Sequence, residues 1–152
     1  MDIFDICIFH NDWGISEKYC QQTKNRIETE GKKGILGINI GPNKDTKDKK
    51  NDFCLGLNKF FDIADYITIN ISSPNTEGLR EFHNHEKLQD LLDALNKKKD
   101  ENKTTIPLFL KVSPDINDNH ITEIADTAIN NKISAIILTN TTDGNRDNLI
   151  SD

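Results

Sequence analysis

The sequence predicts a parallel α/β fold, with about four buried strands and a helix between each pair. Three observations carry this. Four short runs rich in Ile, Leu and Thr are near-continuously apolar, as suits strands covered on both faces: 34–40 (GILGINI), 65–71 (DYITINI), 106–112 (IPLFLKV) and 133–139 (ISAIILT). Segments with helical periodicity separate them. Every run has Asn, Lys or Thr as its last or next-to-last residue and passes into a polar loop.

A helix over about Ile15 to Thr29 precedes the first strand, which ends in NIGPNKDT. Residues 52–63 then place Phe53, Leu57, Phe60 and Phe61 on one side of a helix. The second strand runs into NISSPNTEGLR, and residues 85–99 repeat Leu88, Leu91, Leu92 and Leu95 at helical spacing. The third strand ends in KVSPD, and residues 117–130 group Ile121, Ile124, Ala125 and Ala128. The fourth leads into TNTTDGNR. Repeated right-handed βαβ units make a parallel sheet, open or closed into a barrel. Ligands bind at the carboxyl ends of such strands, so four polar strand ends point to one shared site.

Composition bounds the rest. The chain is about one domain long at 152 residues, with 19 basic and 25 acidic residues and a net charge of -6. Its Lys runs sit beside Asp and Glu, which argues against a nucleic-acid footprint. Cys7, Cys20 and Cys54 match no CxxC or zinc spacing and read as reduced thiols of a cytosolic protein. The start MDIFDICIF lacks the basic flank of a signal peptide, and no run reaches the roughly 20 apolar residues of a membrane helix.

Among candidate site residues, Lys111 closes the run PLFLK. There it can pair with an anion or stabilise developing negative charge; the plain alternative is a lysine reaching out to solvent. Asn39, Asn70 and Asn140 each end a strand, where an amide can read a ring with carbonyl and N–H edges or simply make a turn. Ser72 and Ser73 precede Pro74, which holds Ser73 extended. No GxSxG elbow supports a hydrolase, and no GxGxxG or GxxxxGK[ST] motif supports a nucleotide fold. The HNH at 83–85 lacks a third metal ligand, and a solvated helix start explains it as well.

GILGINIGPNKDT, ADYITINISSPNTEGLR, PLFLKVSPD and AIILTNTT occur in the order and approximate spacing of another family. From about residue 33 to 146 the chain resembles dihydroorotate dehydrogenase, in its quinone-linked class 2. The resemblance implies part of a (βα)8 barrel, about four of its eight strands, over one domain 1–152 with a degenerate start at 1–14. It implies FMN-dependent oxidation of dihydroorotate to orotate in UMP synthesis, with quinone as acceptor, at the cytoplasmic side of the inner membrane. This chain alone reads as cytoplasmic.

By the same resemblance Ser73 matches the catalytic base, and serine in place of cysteine points to class 2. Asn70 matches a contact to both flavin and substrate. Asn39, Lys111 and Thr139 match FMN contacts, and Asn75, Asn140 and Thr141 match substrate contacts. No metal and no nucleic acid are implied. The family's first two and last two strands find no counterpart, and ICIFH stands at 6–10 where an NRMGF-type segment is expected. Two expectations follow: an oxidoreductase of this type, or a remnant that is inactive alone and acts as an interaction module. A second chain completing the barrel is the partner such a remnant leaves room for. A flavodoxin-like domain is a poorer reading, because NIGPNKDT is a poor phosphate loop.

Overall fold

The computed structural model describes residues 3–7, 17–32, 34–74 and 76–138. Five strands form one sheet in chain order: β1 (Ile3–Cys7), β2 (Ile35–Ile40), β3 (Tyr66–Asn70), β4 (Leu108–Lys111) and β5 (Ala135–Ile137). Each pairs in parallel with the next. The helices are α1 (Glu17–Glu30), α2 (Lys49–Phe60), α3 (His85–Glu101) and α4 (Asp118–Asn130), with a 3-10 turn at Leu79–His83 before α3. The four strands expected from the sequence are present. A further one, β1, precedes them inside the stretch assigned to a degenerate start.

The strands alternate more sharply than their apolar appearance suggested. Ile38, Ile40, Ile67, Ile69, Leu108 and Leu110 occupy one face and are 0–2% exposed. They join Phe53, Leu57 and Phe60 of α2, Leu88, Leu91, Leu92 and Leu95 of α3, and Ile124 and Ala128 of α4 in a single core. Gly56 lets α2 lie close on β2: a Cβ there would stand 3.1 Å from Ile40 Cγ2. Positions between these residues fall on the other face, which carries Gly37, Asn39, Tyr66, Thr68, Asn70, Phe109 and Lys111.

Local hydrogen bonds fix where elements start. Asp48 caps α2 by accepting the Asn51 N–H at 2.9 Å, and Asn84 caps α3 by accepting from Glu86 and Lys87. The Asp65 carboxylate accepts the Leu36 N–H at 2.7 Å and binds Lys32 Nζ at 2.5 Å, pinning the start of β3 to β2. The lysine contact, then the amide, holds Asp65 below the usual carboxylate range. Among the described residues no helix is long and apolar enough to cross a membrane.

Candidate functional site

Parallel register decides which strand-end residues share a layer. Asn39 of β2 aligns with Thr68 of β3, which aligns with Phe109 of β4. One layer closer to the carboxyl ends, Asn70 aligns with Lys111. All five lie on the face opposite the helices. Asn39, Thr68 and Asn70 are 2–4% exposed, and Lys111 is half-buried.

An aromatic pair lies on the same face. Tyr66 stacks on Phe109 with ring centres 4.5 Å apart and planes 18° from parallel. Gly37, the register partner of Tyr66, makes room for that ring, since a Cβ at Gly37 would stand 2.2 Å from Tyr66 Cζ. Two amides, a hydroxyl and an ammonium thus share a face with a flat apolar surface. That donor set suits a planar heterocycle with carbonyl and N–H edges and negative charge.

The loop after β3 explains its many polar residues. The ladder runs one step past the strand, with the Ile71 N–H donating to the Lys111 carbonyl at 3.0 Å. Asn70 Oδ1 then accepts both the Ser72 N–H at 3.1 Å and the Ser72 hydroxyl at 2.7 Å, an Asx turn that is fully buried at Ser72. Ser72 is therefore a structural partner of Asn70, while Ser73 is half-buried just beyond it, restricted by Pro74.

Further along, the β3 loop is tied to the loop after β4. Gly78 takes a left-handed φ of 67° and leads into the 3-10 turn, where Leu79 enters the core. Arg80 pairs with Asp115 at 3.6 Å, and the Ser113 N–H donates to His83 Nε2 at 3.5 Å. Asp115 N–H donates in turn to Ser113 Oγ at 3.2 Å. Burial, then the nearby Arg80 and His120, lowers the His83 pKa to about 4. The HNH segment is a helix start with a buried rather than solvated His83: Asn84 is the cap, and His85 Nδ1 meets Thr127 Oγ1 at 2.8 Å. No group of three or more His, Cys, Asp or Glu is placed to hold a metal among the described residues.

Of the residues singled out from the sequence, Asn39, Asn70 and Lys111 come together on one face, and Ser73 follows on the adjoining loop. Asn75, Thr139, Asn140 and Thr141 lie outside the described residues. Gly37, Tyr66, Thr68 and Phe109 were missed, although the period-2 alternation of each strand would have shown them. A surface cleft of about 660 Å³ lies elsewhere, between the β2–α2 loop and the 3-10 turn. It shares no residue with the strand-end set, and among its charges Lys50 pairs with Asp90 and Lys87 with Glu81.

Comparison with known proteins follows the same lines. The family model described as dihydroorotate dehydrogenase matches residues 8–150. The dihydroorotate dehydrogenase (quinone) of Bartonella tribocorum is 39% identical over 136 residues, 87% of this chain and 38% of that protein. The Brucella ovis protein of the same description is 45% identical over 116 residues, 74% of this chain and 32% of its own length. The chain therefore spans about a third of the length of these relatives. Among solved structures, DHODH of Eimeria tenella in complex with ferulenol superposes with a TM-score of 0.72 at 29% identity, over 86% of this chain and 40% of that one. The ligand-free form gives 0.72 at 30% identity, over 90% and 42%.

Proposed function

Because the chain belongs to the dihydroorotate dehydrogenase family and its sheet is a fragment of that TIM barrel, we propose that it carries the proton-abstracting and flavin-contacting part of a site that oxidises dihydroorotate to orotate for pyrimidine synthesis. FMN is the proposed cofactor, and when bound it accepts the hydride. A quinone is the proposed final acceptor, which places the working protein at the cytoplasmic face of the inner membrane.

The chain's own groups divide the work. Ser73 Oγ takes a proton from the substrate ring as hydride leaves it. Serine is a weak base in water, so this needs a dry pocket and a path for its own proton. Asn70 has its Oδ1 held by Ser72, which orients its NH2 as a donor for ligand. Lys111 offers positive charge where the ring system becomes negative. Asn39 and Thr139 complete the cofactor contacts, while Asn75, Asn140 and Thr141 bind substrate.

One observation carries this reading: the register that sets Asn39 and Thr68, then Asn70 and Lys111, on one face leading to the Ser73 loop. A second reading, a remnant that does not turn over alone and awaits strands from another chain, is favoured by the unpaired outer edges of β1 and β5 among the described residues. The test is anaerobic addition of dihydroorotate to the purified chain with FMN, followed by flavin absorbance. Bleaching that Ser73→Ala abolishes while FMN still binds supports the first reading. Bleaching indifferent to Ser73→Ala overturns the role of Ser73. Absence of bleaching alone, but its appearance on coexpression with the remaining strands of a relative, supports the second. No bleaching in either case overturns the proposed activity.

A further inference from the structure

We infer that His83 is a positioning residue: by accepting the Ser113 N–H at Nε2, it holds the loop that carries Ser73 against the strand end that carries Lys111. The inference rests on the roles proposed above for Ser73 and Lys111.

Past the sheet ladder, contacts between described residues of these loops include an ion pair and a side-chain hydrogen bond. The Arg80–Asp115 pair is partly exposed, at 33% and 18%, and its 3.6 Å separation makes it a loose, salt-sensitive tether. The other contact is enclosed, with His83 7% and Ser113 1% exposed. Val112 still donates to the Ile137 carbonyl of β5, whereas Ser113 donates to a side chain thirty residues earlier. A backbone N–H so deeply buried needs an acceptor, and His83 supplies it.

Only a neutral imidazole with its proton on Nδ1 can do so. Protonation would turn Nε2 into a donor facing a donor. The charged groups that act on the ring are Arg80 on its own turn and His120 at the start of α4; Asp115 in the β4–α4 loop and Glu81 on the turn act through their own partners. Asp115 pairs only loosely with Arg80 and Glu81 is paired with Lys87, so burial, then the positive charge of Arg80 and the nearby His120, keeps the ring uncharged.

The ring can act at a distance because both loops are short and anchored. On one side, Leu79 is buried in the core and the Leu79 N–H donates to the Thr76 carbonyl at 3.1 Å, so the turn that carries His83 is tied to the loop that follows Ser73. On the other, Ser113 stands two residues past Lys111, whose carbonyl already holds Ile71.

The experiment compares the full chain with His83→Leu and His83→Gln. Leu fills the space without an acceptor, while Gln restores an acceptor that does not titrate. Amide hydrogen exchange is read residue by residue with no ligand present, so the result does not depend on flavin chemistry. The expected result is exchange at Ser113 faster by about tenfold in His83→Leu, with Ser72 and Ser73 also faster, and all three restored in His83→Gln. As pH falls through about 4, protection at Ser113 should drop in the wild type and persist in His83→Gln. Should His83→Leu not fold, that pH comparison decides alone. Unchanged exchange at Ser113, or an identical pH response in wild type and His83→Gln, overturns the contact. Faster exchange at Ser113 with Ser72 and Ser73 unmoved overturns the positioning role. Failure of the wild type to reduce flavin would count against the proposed activity only.

Discussion

On the helix-covered face of the sheet, Ile38, Ile40, Ile67, Ile69, Leu108 and Leu110 belong to one apolar core; on the opposite face, at intervening positions of the same strands, stand Gly37, Asn39, Tyr66, Thr68, Asn70, Phe109 and Lys111. The first set is interchangeable in kind, because burial of any branched aliphatic chain contributes roughly 1.5–3 kcal/mol. The second set is particular: a glycine under a ring, an amide bound to a serine, a lysine in register with that amide. One backbone can therefore carry stability and chemistry with little conflict, since neighbours in sequence face apart.

The largest expected effect tests the first face. Ile69→Ala removes a fully buried side chain and should cost about 2–5 kcal/mol in denaturant unfolding. Gly37→Ala comes next, at about 1–3 kcal/mol, because the added methyl would overlap the Tyr66 ring. Near-ultraviolet circular dichroism should change with it, as the Tyr66–Phe109 stack is displaced. A Gly37→Ala variant with wild-type stability and spectrum would show that this face is loosely packed.

Asn70→Ala asks whether the second face is free of structural duty. It removes the Asn70 acceptor from the buried Ser72 N–H and hydroxyl, for an expected loss of about 1–2 kcal/mol. A silent variant would sharpen the separation of the faces; the expected loss blurs it at this one residue. The smallest effect, about 1 kcal/mol, is expected for Asp65→Asn at the amino end of β3, where the carboxylate is partly exposed. Its folded pKa lies below the ordinary 3.8, so the stabilisation is present above that value and is lost as pH falls through the folded one. The gap between wild type and variant should therefore close in acid titrations of stability.

The aliphatic face was the more legible in the sequence. Phe and Leu spacing located α2 and α3, and Ile and Ala spacing α4, to within three residues at each end, as did the expected helix over Ile15 to Thr29 for α1; α2 starts earlier than its apolar residues suggest because Asp48 caps it. β1 escaped because IFDIC is short and interrupted by Asp5; its pairing with β2 is a long-range contact that no local pattern announces. Asn39, Asn70 and Lys111 stood out as polar residues closing apolar runs. Tyr66 and Phe109 did not, since an aromatic in a strand resembles core. His83 was read with its neighbours Asn84 and His85, whereas its role depends on Ser113, far along the chain.

Strand order in the sheet equals strand order in the chain. No strand has to be inserted between two others already paired, so each βα unit meets a finished edge as it emerges during synthesis. Growth of this kind is a series of nearest-neighbour closures, each over one helix-containing crossover rather than over the whole sheet. The same arrangement makes the fold modular in evolution: a unit can be gained or lost at an edge with one ladder made or broken, while the register that pairs Asn39 with Thr68 and Asn70 with Lys111 is inherited intact.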